Sequence, residues 1–142
     1  MLRRTISGAA AAGLLATALL AGAPTAQSAP KYQPWGSTSS KNHVLKPGCH
    51  FYKYRYVITA PTDEWAAEID IVNPNGRALG HTFIDTAADP DRGSLKIKLC
   101  RRSTDYGLHK IKMKVTWQRD RENITGHVKP STFRLKQPRS GR

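Results

Sequence analysis

Hydrophobic and polar residues alternate along most of the chain after residue 48. Between Cys49 and Ala60, three tyrosines and Ile58 share one parity, whereas Lys53 and Arg55 share the other. A period of two is typical of a β-strand that buries one face and exposes the other. No apolar stripe with the helical period follows residue 28, so we expect an all-β fold. Similar patterns predict further strands at residues 65–71, 78–84, 94–100, 110–117, 124–128 and 131–136.

Turn signals separate these segments and indicate how the strands are joined. The sequence Asn73-Pro74-Asn75-Gly76 combines a proline, which fixes φ at the second turn position, with a glycine, which accepts a positive φ. It predicts a tight turn between the strands at 65–71 and 78–84. About seven short strands with turns between them favour one antiparallel β-sandwich.

The first 28 residues have the three-part pattern of a secretory signal peptide. Arg3 and Arg4 precede an apolar run over residues 9–23, and small residues with Pro24 close the stretch. We expect cleavage after Ser28. The alternative is a retained anchor helix, although the run is short of the roughly 20 residues that a membrane span needs. The protein is therefore expected to be secreted and extracellular, with no membrane span after cleavage.

The remaining chain divides into three segments. Residues 29–46 are rich in Pro, Ser and Gly without periodicity and predict a flexible N-terminal arm. Residues 47–136 contain the predicted strands and form the β-sandwich domain. Residues 137–142 have the composition of a loose C-terminal tail.

Charge adds strongly basic outer faces to this picture. The chain has 23 Lys and Arg against 10 Asp and Glu, and removing Arg3 and Arg4 leaves 21 against 10, or about +11. Lysines at alternate positions of the predicted strands form positively charged stripes, which attract an anionic cell-wall polymer or polysaccharide. The alternative interpretation is that these lysines are only the solvated side of amphipathic strands. The candidate anion-binding residues are Lys53, Arg55, Lys96, Lys98, Lys110, Lys112 and Lys114.

The two cysteines, Cys49 and Cys100, are expected to form a disulfide because the chain is predicted to be exported. The alternative is a pair of buried free thiols. No histidine lies at ligand spacing beside them, so they do not indicate a zinc site. No motif for a cofactor, a metal or catalysis stands out, and we expect no cofactor and no enzymatic activity.

Three segments resemble the immunoglobulin-like β-sandwiches of small secreted bacterial proteins. They are the hairpin at Ile69–Gly76, the entry at Asp105–Gly107 to the strand at 110–117, and the last strand at Ser131–Leu135. The signal peptide is similar to those of actinobacterial proteins. The resemblance implies a single immunoglobulin-like sandwich of about seven strands, in which the second and fifth strands are antiparallel neighbours.

That neighbour relation places Cys49 beside Cys100. Because Cys49 shares the parity of Lys53, and Cys100 shares that of Lys96, the bond is expected on the outer face of one sheet. The same register implies two cross-strand pairs on that face, namely Lys53 with Lys96 and Phe51 with Lys98.

Three functions fit an exported basic β-domain. The preferred hypothesis is a non-catalytic binding or structural module that engages an anionic polymer or surface through its lysine-rich faces. The second is an inhibitor of an extracellular protease, with Arg101 and Arg102 in the candidate inhibitor loop. The third, an enzyme, requires residues such as His81, Asp85 or His109 to share one pocket, since a general base must reach its partner at about 3 Å.

The loop that holds Asp85, Asp89 and Asp91 is rich in oxygen ligands of the kind that calcium prefers. The same residues are ordinary turn formers, and their spacing matches no calcium-loop motif. We therefore expect a turn here, with calcium binding as the alternative.

Overall fold

The computed structural model describes residues 31–140, so the predicted signal peptide (1–28) and the ends of the arm and tail lie outside the described residues. Every regular element in this range is a strand. It contains no helix with the length and hydropathy needed to cross a membrane. The strands are β1 (Gly36–Ser39), β2 (His43–Val44), β3 (Cys49–Ile58), β4 (Trp65–Val72), β5 (Ala78–Asp85), β6 (Arg92–Cys100), β7 (Gly107–Arg119), β8 (Glu122–His127) and β9 (Ser131–Lys136).

The strands form two sheets in a sandwich-like arrangement, which confirms the predicted all-β sandwich. The first sheet has the order β1-β3-β6, and the second has the order β2-β9-β7-β4-β5. β8 pairs with the second half of β7. The long strand β7 is thus central to the second sheet, with β4 along one side.

Alternation brings the apolar side chains between the two sheets. On β3, Tyr52, Tyr54 and Tyr56 are buried, and the hydroxyl of Tyr56 donates a hydrogen bond to the Pro90 carbonyl at 3.0 Å. The hydroxyl of Tyr52 donates to the Val44 carbonyl and that of Tyr54 lies 3.1 Å from the Thr82 hydroxyl, so each tyrosine buries its ring while its polar end keeps a partner. The opposing sheet contributes buried residues at alternate positions of β4, β7 and β9: Trp65, Ala67, Ile69, Ile71, Ile111, Met113, Val115, Trp117, Phe133 and Leu135.

The register of β3 against β6 agrees with the sequence prediction. Cys49 lies opposite Cys100, and the two form a disulfide. Both strands belong to one sheet, and Cys49 is exposed. The bond therefore lies on the outer face, and it is consistent with an extracellular protein.

The predicted turn between β4 and β5 is also confirmed. The Asn73 side-chain oxygen accepts hydrogen bonds from the backbone N–H groups of Asn75 and Arg77, at 3.0 and 2.8 Å. Gly76 has a φ of 85°, the left-handed conformation for which a glycine is suited. The turn thus supplies the antiparallel connection that the second sheet requires.

Residues 31–46 differ from the flexible arm that the sequence predicts for 29–46. β1 pairs with the last four residues of β3, with Ser39 opposite Arg55. Leu45, just after β2, is fully buried, and the Trp35 ring meets the Trp117 ring edge-on at 5.6 Å between centroids. Long-range pairing and burial, rather than a local period of two, incorporate this segment into the sandwich.

The disulfide closes a loop of 51 residues, and in the chain-entropy account such a bond stabilises by up to about 4 kcal/mol. We expect the double variant Cys49→Ala/Cys100→Ala to lose about 2–4 kcal/mol of unfolding free energy. Urea unfolding followed by tryptophan fluorescence measures this loss. Wild type held reduced serves as the control and should unfold at the midpoint of the variant; equal stability of the variant and the oxidised protein would contradict the account.

Candidate functional site

The outer face of the β1-β3-β6 sheet carries a concentrated positive charge. β3 contributes Lys53 and Arg55, β6 contributes Arg92, Lys96 and Lys98, and all five are exposed. We call these five residues the basic face. The two ion pairs found among residues 31–140 lie elsewhere. Within that range, no carboxylate is therefore ion-paired with the basic face.

Like charges lie directly opposite each other in the basic face. Lys53 pairs in register with Lys96, as the sequence predicts. Directly opposite residues have Cβ atoms about 5 Å apart, and like charges in such a pair are destabilising. The native sheet therefore contains a repulsion that a bound anion would relieve.

Two members of this surface were not singled out as candidates from the sequence. Arg92 was missed because the predicted strand began at residue 94, whereas β6 begins two residues earlier. Phe51 was placed opposite Lys98, but its exposed fraction of 67% shows that it also gives the basic face an apolar contact point. The earlier strand start is not marked by the local alternation.

The second lysine stripe, on β7, has acidic neighbours. The Lys114 ammonium lies 2.9 Å from a Glu68 carboxylate oxygen, and Lys112 lies opposite Asp70 in the β4–β7 register. Lys110 and Lys112 are exposed, as predicted. The stripe is thus part of a mixed-charge surface, in contrast to the basic face.

A groove of about 570 Å³ adjoins the basic face where β1 ends. β1 stops at Ser39, and the hydroxyl of Ser40 lies 3.1 Å from the Lys53 carbonyl, to which it can donate. This contact holds the turn after β1 against β3. The groove is lined by Ser39, Ser40, Lys41, Lys53, Tyr54 and Arg55.

A second groove of about 430 Å³ shares Lys41 with the first. Its lining includes His43, Lys46, His50 and Phe51. The His43 ring lies edge-on to Tyr52 and its Nε2 is 3.3 Å from the Ser40 hydroxyl. Burial lowers the pKa of His43; a hydrogen bond to the Lys53 backbone opposes this effect, and the charge of Lys41 adds to it.

The predicted inhibitor loop holds its two arginines differently. The Arg101 guanidinium donates to the Tyr106 hydroxyl at 2.6 Å and lies 4.0 Å from the centre of that ring. It also donates to the Thr104 carbonyl at 3.3 Å. Arg102 is exposed. Arg101 is therefore engaged within its own loop, which leaves Arg102 as the arginine presented outward.

The three residues named for an enzymatic site do not come together. His81, on the outer face of the second sheet, has its Nδ1 2.8 Å from Asp70. His109 lies on the inner face of that sheet and is fully buried. Asp85 accepts hydrogen bonds from the backbone N–H groups of Ala87 and Ala88 in its own turn. The sheet itself separates the two histidines.

The carboxylates of the 85–91 loop are engaged in turn and strand contacts. Asp89 accepts a hydrogen bond from the Asp85 N–H at 3.2 Å, and Asp91 accepts one from the Trp65 indole N–H at 2.9 Å. Across the described chain, no group of three or more His, Cys, Asp or Glu side chains is placed to hold a metal ion. The hydrogen bonds that these carboxylates accept hold the loop in its turn and against β4.

Comparison of the sequence with protein-family models and with curated proteins, and of the fold with solved structures, gives no match. The basic face and its adjoining groove are the features of the described chain that point to a ligand.

His109 provides a test of the core on which this surface rests. Its Nδ1 lies 3.1 Å from the Gly107 carbonyl, to which it donates, its ring stacks on Phe133, and its buried Nε2 has no hydrogen-bond partner in the described chain. Burial lowers the pKa of His109 from its usual 6.5, although the bond to Gly107 and the charge of Asp105 oppose this effect. The folded protein therefore resists a proton that the unfolded chain accepts.

We expect the unfolding free energy to fall as the pH decreases below about 6.5, and to level off below the folded-state pKa of His109. The substitution His109→Gln should make this pH dependence shallower. Urea unfolding at several pH values between 7.5 and 4.5 measures it, with His127→Gln, an exposed histidine, as the matched control. Equal slopes for wild type and His109→Gln would contradict the assignment.

Proposed function

We propose that this chain is a secreted, non-catalytic binding module that holds an anionic polymer on the basic face. The observation that carries the proposal is the pairing of Lys53 with Lys96 on a face of five cations where no ion pair forms within the described chain. Cross-strand repulsion of this kind lowers stability unless a ligand neutralises it. The N-terminal export pattern and the disulfide support a role outside the cell.

We further infer that the sandwich is immunoglobulin-like, with β3 and β6 as its second and fifth strands. In such domains these two strands share one sheet, while the third, sixth and seventh share the other. The placement of β4, β7 and β9 in the second sheet supports this assignment. Because this fold serves many functions, the binding role is argued from the basic face and not from the fold.

Electrostatic range favours a polymer over a single small anion as the ligand of the whole face. At physiological ionic strength the screening length is about 8 Å, which exceeds the roughly 5 Å between directly opposite side chains. Neighbouring cations of the basic face therefore act together on one polyanion. At 1 M salt the screening length falls to about 3 Å, and this cooperation is lost.

Retention on immobilised dextran sulfate tests the proposal with two variants that each remove three positive charges. Lys53→Gln/Lys96→Gln/Lys98→Gln changes the basic face, and Lys110→Gln/Lys112→Gln/Lys114→Gln changes the β7 stripe as the matched control. Basic residues near an anionic surface contribute about 1 kcal/mol each, so we expect the first variant to lose about a hundredfold in affinity. The control variant should lose much less, because its stripe lies beside Glu68 and Asp70.

Wild type should elute from this matrix at a salt concentration well above that needed by the basic-face variant. Soluble dextran sulfate should also raise the unfolding midpoint of wild type, since a ligand that binds the folded state stabilises it. Passage of wild type without retention at 50 mM salt would overturn the proposal. So would equal elution of the two variants, because net charge alone would then explain retention.

A further inference from the structure

The groove beside the basic face brings together positive charges from two segments of the chain, β3 and the turn after β1. Lys53 and Arg55 are two residues apart on β3, which places their Cα atoms about 7 Å apart on the same side of the strand. Lys41 lines the same groove from the turn after β1. Three cations therefore surround one concave space, whose lining includes no carboxylate.

A serine hydroxyl completes the donor set. Ser39 lies directly opposite Arg55 and is exposed, and Ser40 lies beside it at the groove wall. The Ser40 hydroxyl is within reach of the Lys53 carbonyl and of His43 Nε2, so it links the groove to that ring. The site thus combines one planar guanidinium, two ammonium groups and the Ser39 hydroxyl, while the Ser40 O–H is donated to a backbone carbonyl.

We propose that this groove binds a tetrahedral oxyanion, the phosphoryl or sulfuryl group of an anionic polymer, and selects such polymers over polycarboxylates. The inference rests on the proposed function and names the ligand chemistry at one part of the same surface. A guanidinium donates two parallel hydrogen bonds to such a group, and an ammonium acts on it as a point charge. A sulfate ester has three terminal oxygens, and a phosphoryl unit of a polymer has two that diverge around a tetrahedral centre, so either group can meet donors that surround a concave site; the two oxygens of a carboxylate lie in one plane with their carbon.

The pKa of His43 depends on whether an anion is bound in the groove. Besides burial, Lys41, from the turn after β1, is the charged group that lowers the pKa of this ring, and a hydrogen bond to the Lys53 backbone of β3 opposes it. Lys46 and His50 line the same second groove as His43, and Tyr52 of β3 and Phe133 of β9 supply aromatic contacts. An anion seated among the groove cations stabilises the protonated ring, which raises the pKa of His43. Protonation in turn adds a positive charge beside the site, so binding tightens as the pH falls.

The test compares binding to polyphosphate, dextran sulfate and poly-glutamate for two variants matched in charge. Lys41→Gln/Arg55→Gln removes one lysine and one arginine from the groove. Arg92→Gln/Lys98→Gln removes one of each from the part of the basic face outside the groove. All four positions are exposed, and both variants lose two charges, so a simple effect of polymer charge density is the same for both.

We expect wild type to bind polyphosphate, dextran sulfate or both at least about tenfold more tightly than poly-glutamate, the size of one charge-assisted hydrogen bond. The groove variant should lose this preference, and the Arg92/Lys98 variant should weaken all three complexes while keeping it. A preference for polyphosphate alone assigns a phosphoryl group, and one for dextran sulfate alone assigns a sulfuryl group. In NMR titrations, inorganic phosphate or sulfate should raise the pKa of His43 more than acetate does.

The inference is overturned if wild type shows no preference, or if the preference survives in the groove variant. Those results would not contradict the proposed function, provided that the Lys53→Gln/Lys96→Gln/Lys98→Gln variant is still retained less strongly than wild type on dextran sulfate. Failure of wild type to bind any of the three polymers would instead remove the proposed function as well. The two failures are therefore distinguishable.

Discussion

The antiparallel pairing of β3 with β6 is the constraint on which the other features of this structure depend. With Cys49 opposite Cys100, each tyrosine of β3 points into the core and each cation points outward. A slip of one residue would exchange these two sets. Burying an unpaired charge costs several kcal/mol, whereas a like-charge pair across exposed strands costs less than about 1 kcal/mol. The sheet therefore tolerates Lys53 opposite Lys96, since a slip of one residue, which would bury the cations of β3, is far less stable.

Sequence reasoning identified the elements whose periodicity is local. β3, β4, β6, β7 and β9 were predicted because each alternates over at least five residues, and the turn at 73–76 was predicted from its own Pro and Gly. The disulfide is expected from the export pattern, and its outward direction follows from parity when the second and fifth strands are neighbours, as the immunoglobulin-like resemblance implies. These inferences need only short-range information and one assumption about topology.

The segment that escaped prediction owes its structure to distant partners. Gly36–Ser39 contains small residues with little strand preference, and it pairs with β3 across nearly twenty residues of sequence. Lys41, Ser39 and Ser40 reach the groove only because that pairing exists. The contrast between the two lysine stripes has a similar origin, since Glu68 and Asp70 lie beside the β7 stripe only through the register of β4 with β7. The two stripes look equivalent in the sequence, and they differ only in the residues that lie across from them on the neighbouring strands.

The position of β6 at the end of its sheet has a consequence for molecules that share one polymer. In the described chain β6 pairs on one side only, with β3, so it is an edge strand that carries Lys96 and Lys98. In free solution these charges keep two copies from joining edge to edge. A polyanion that neutralises them also removes that repulsion, and it holds neighbouring copies at high local concentration. If the basic face binds a polyanion as proposed, the lysines that attract the polymer would no longer separate the proteins bound to it, and each bound copy would favour the binding of the next.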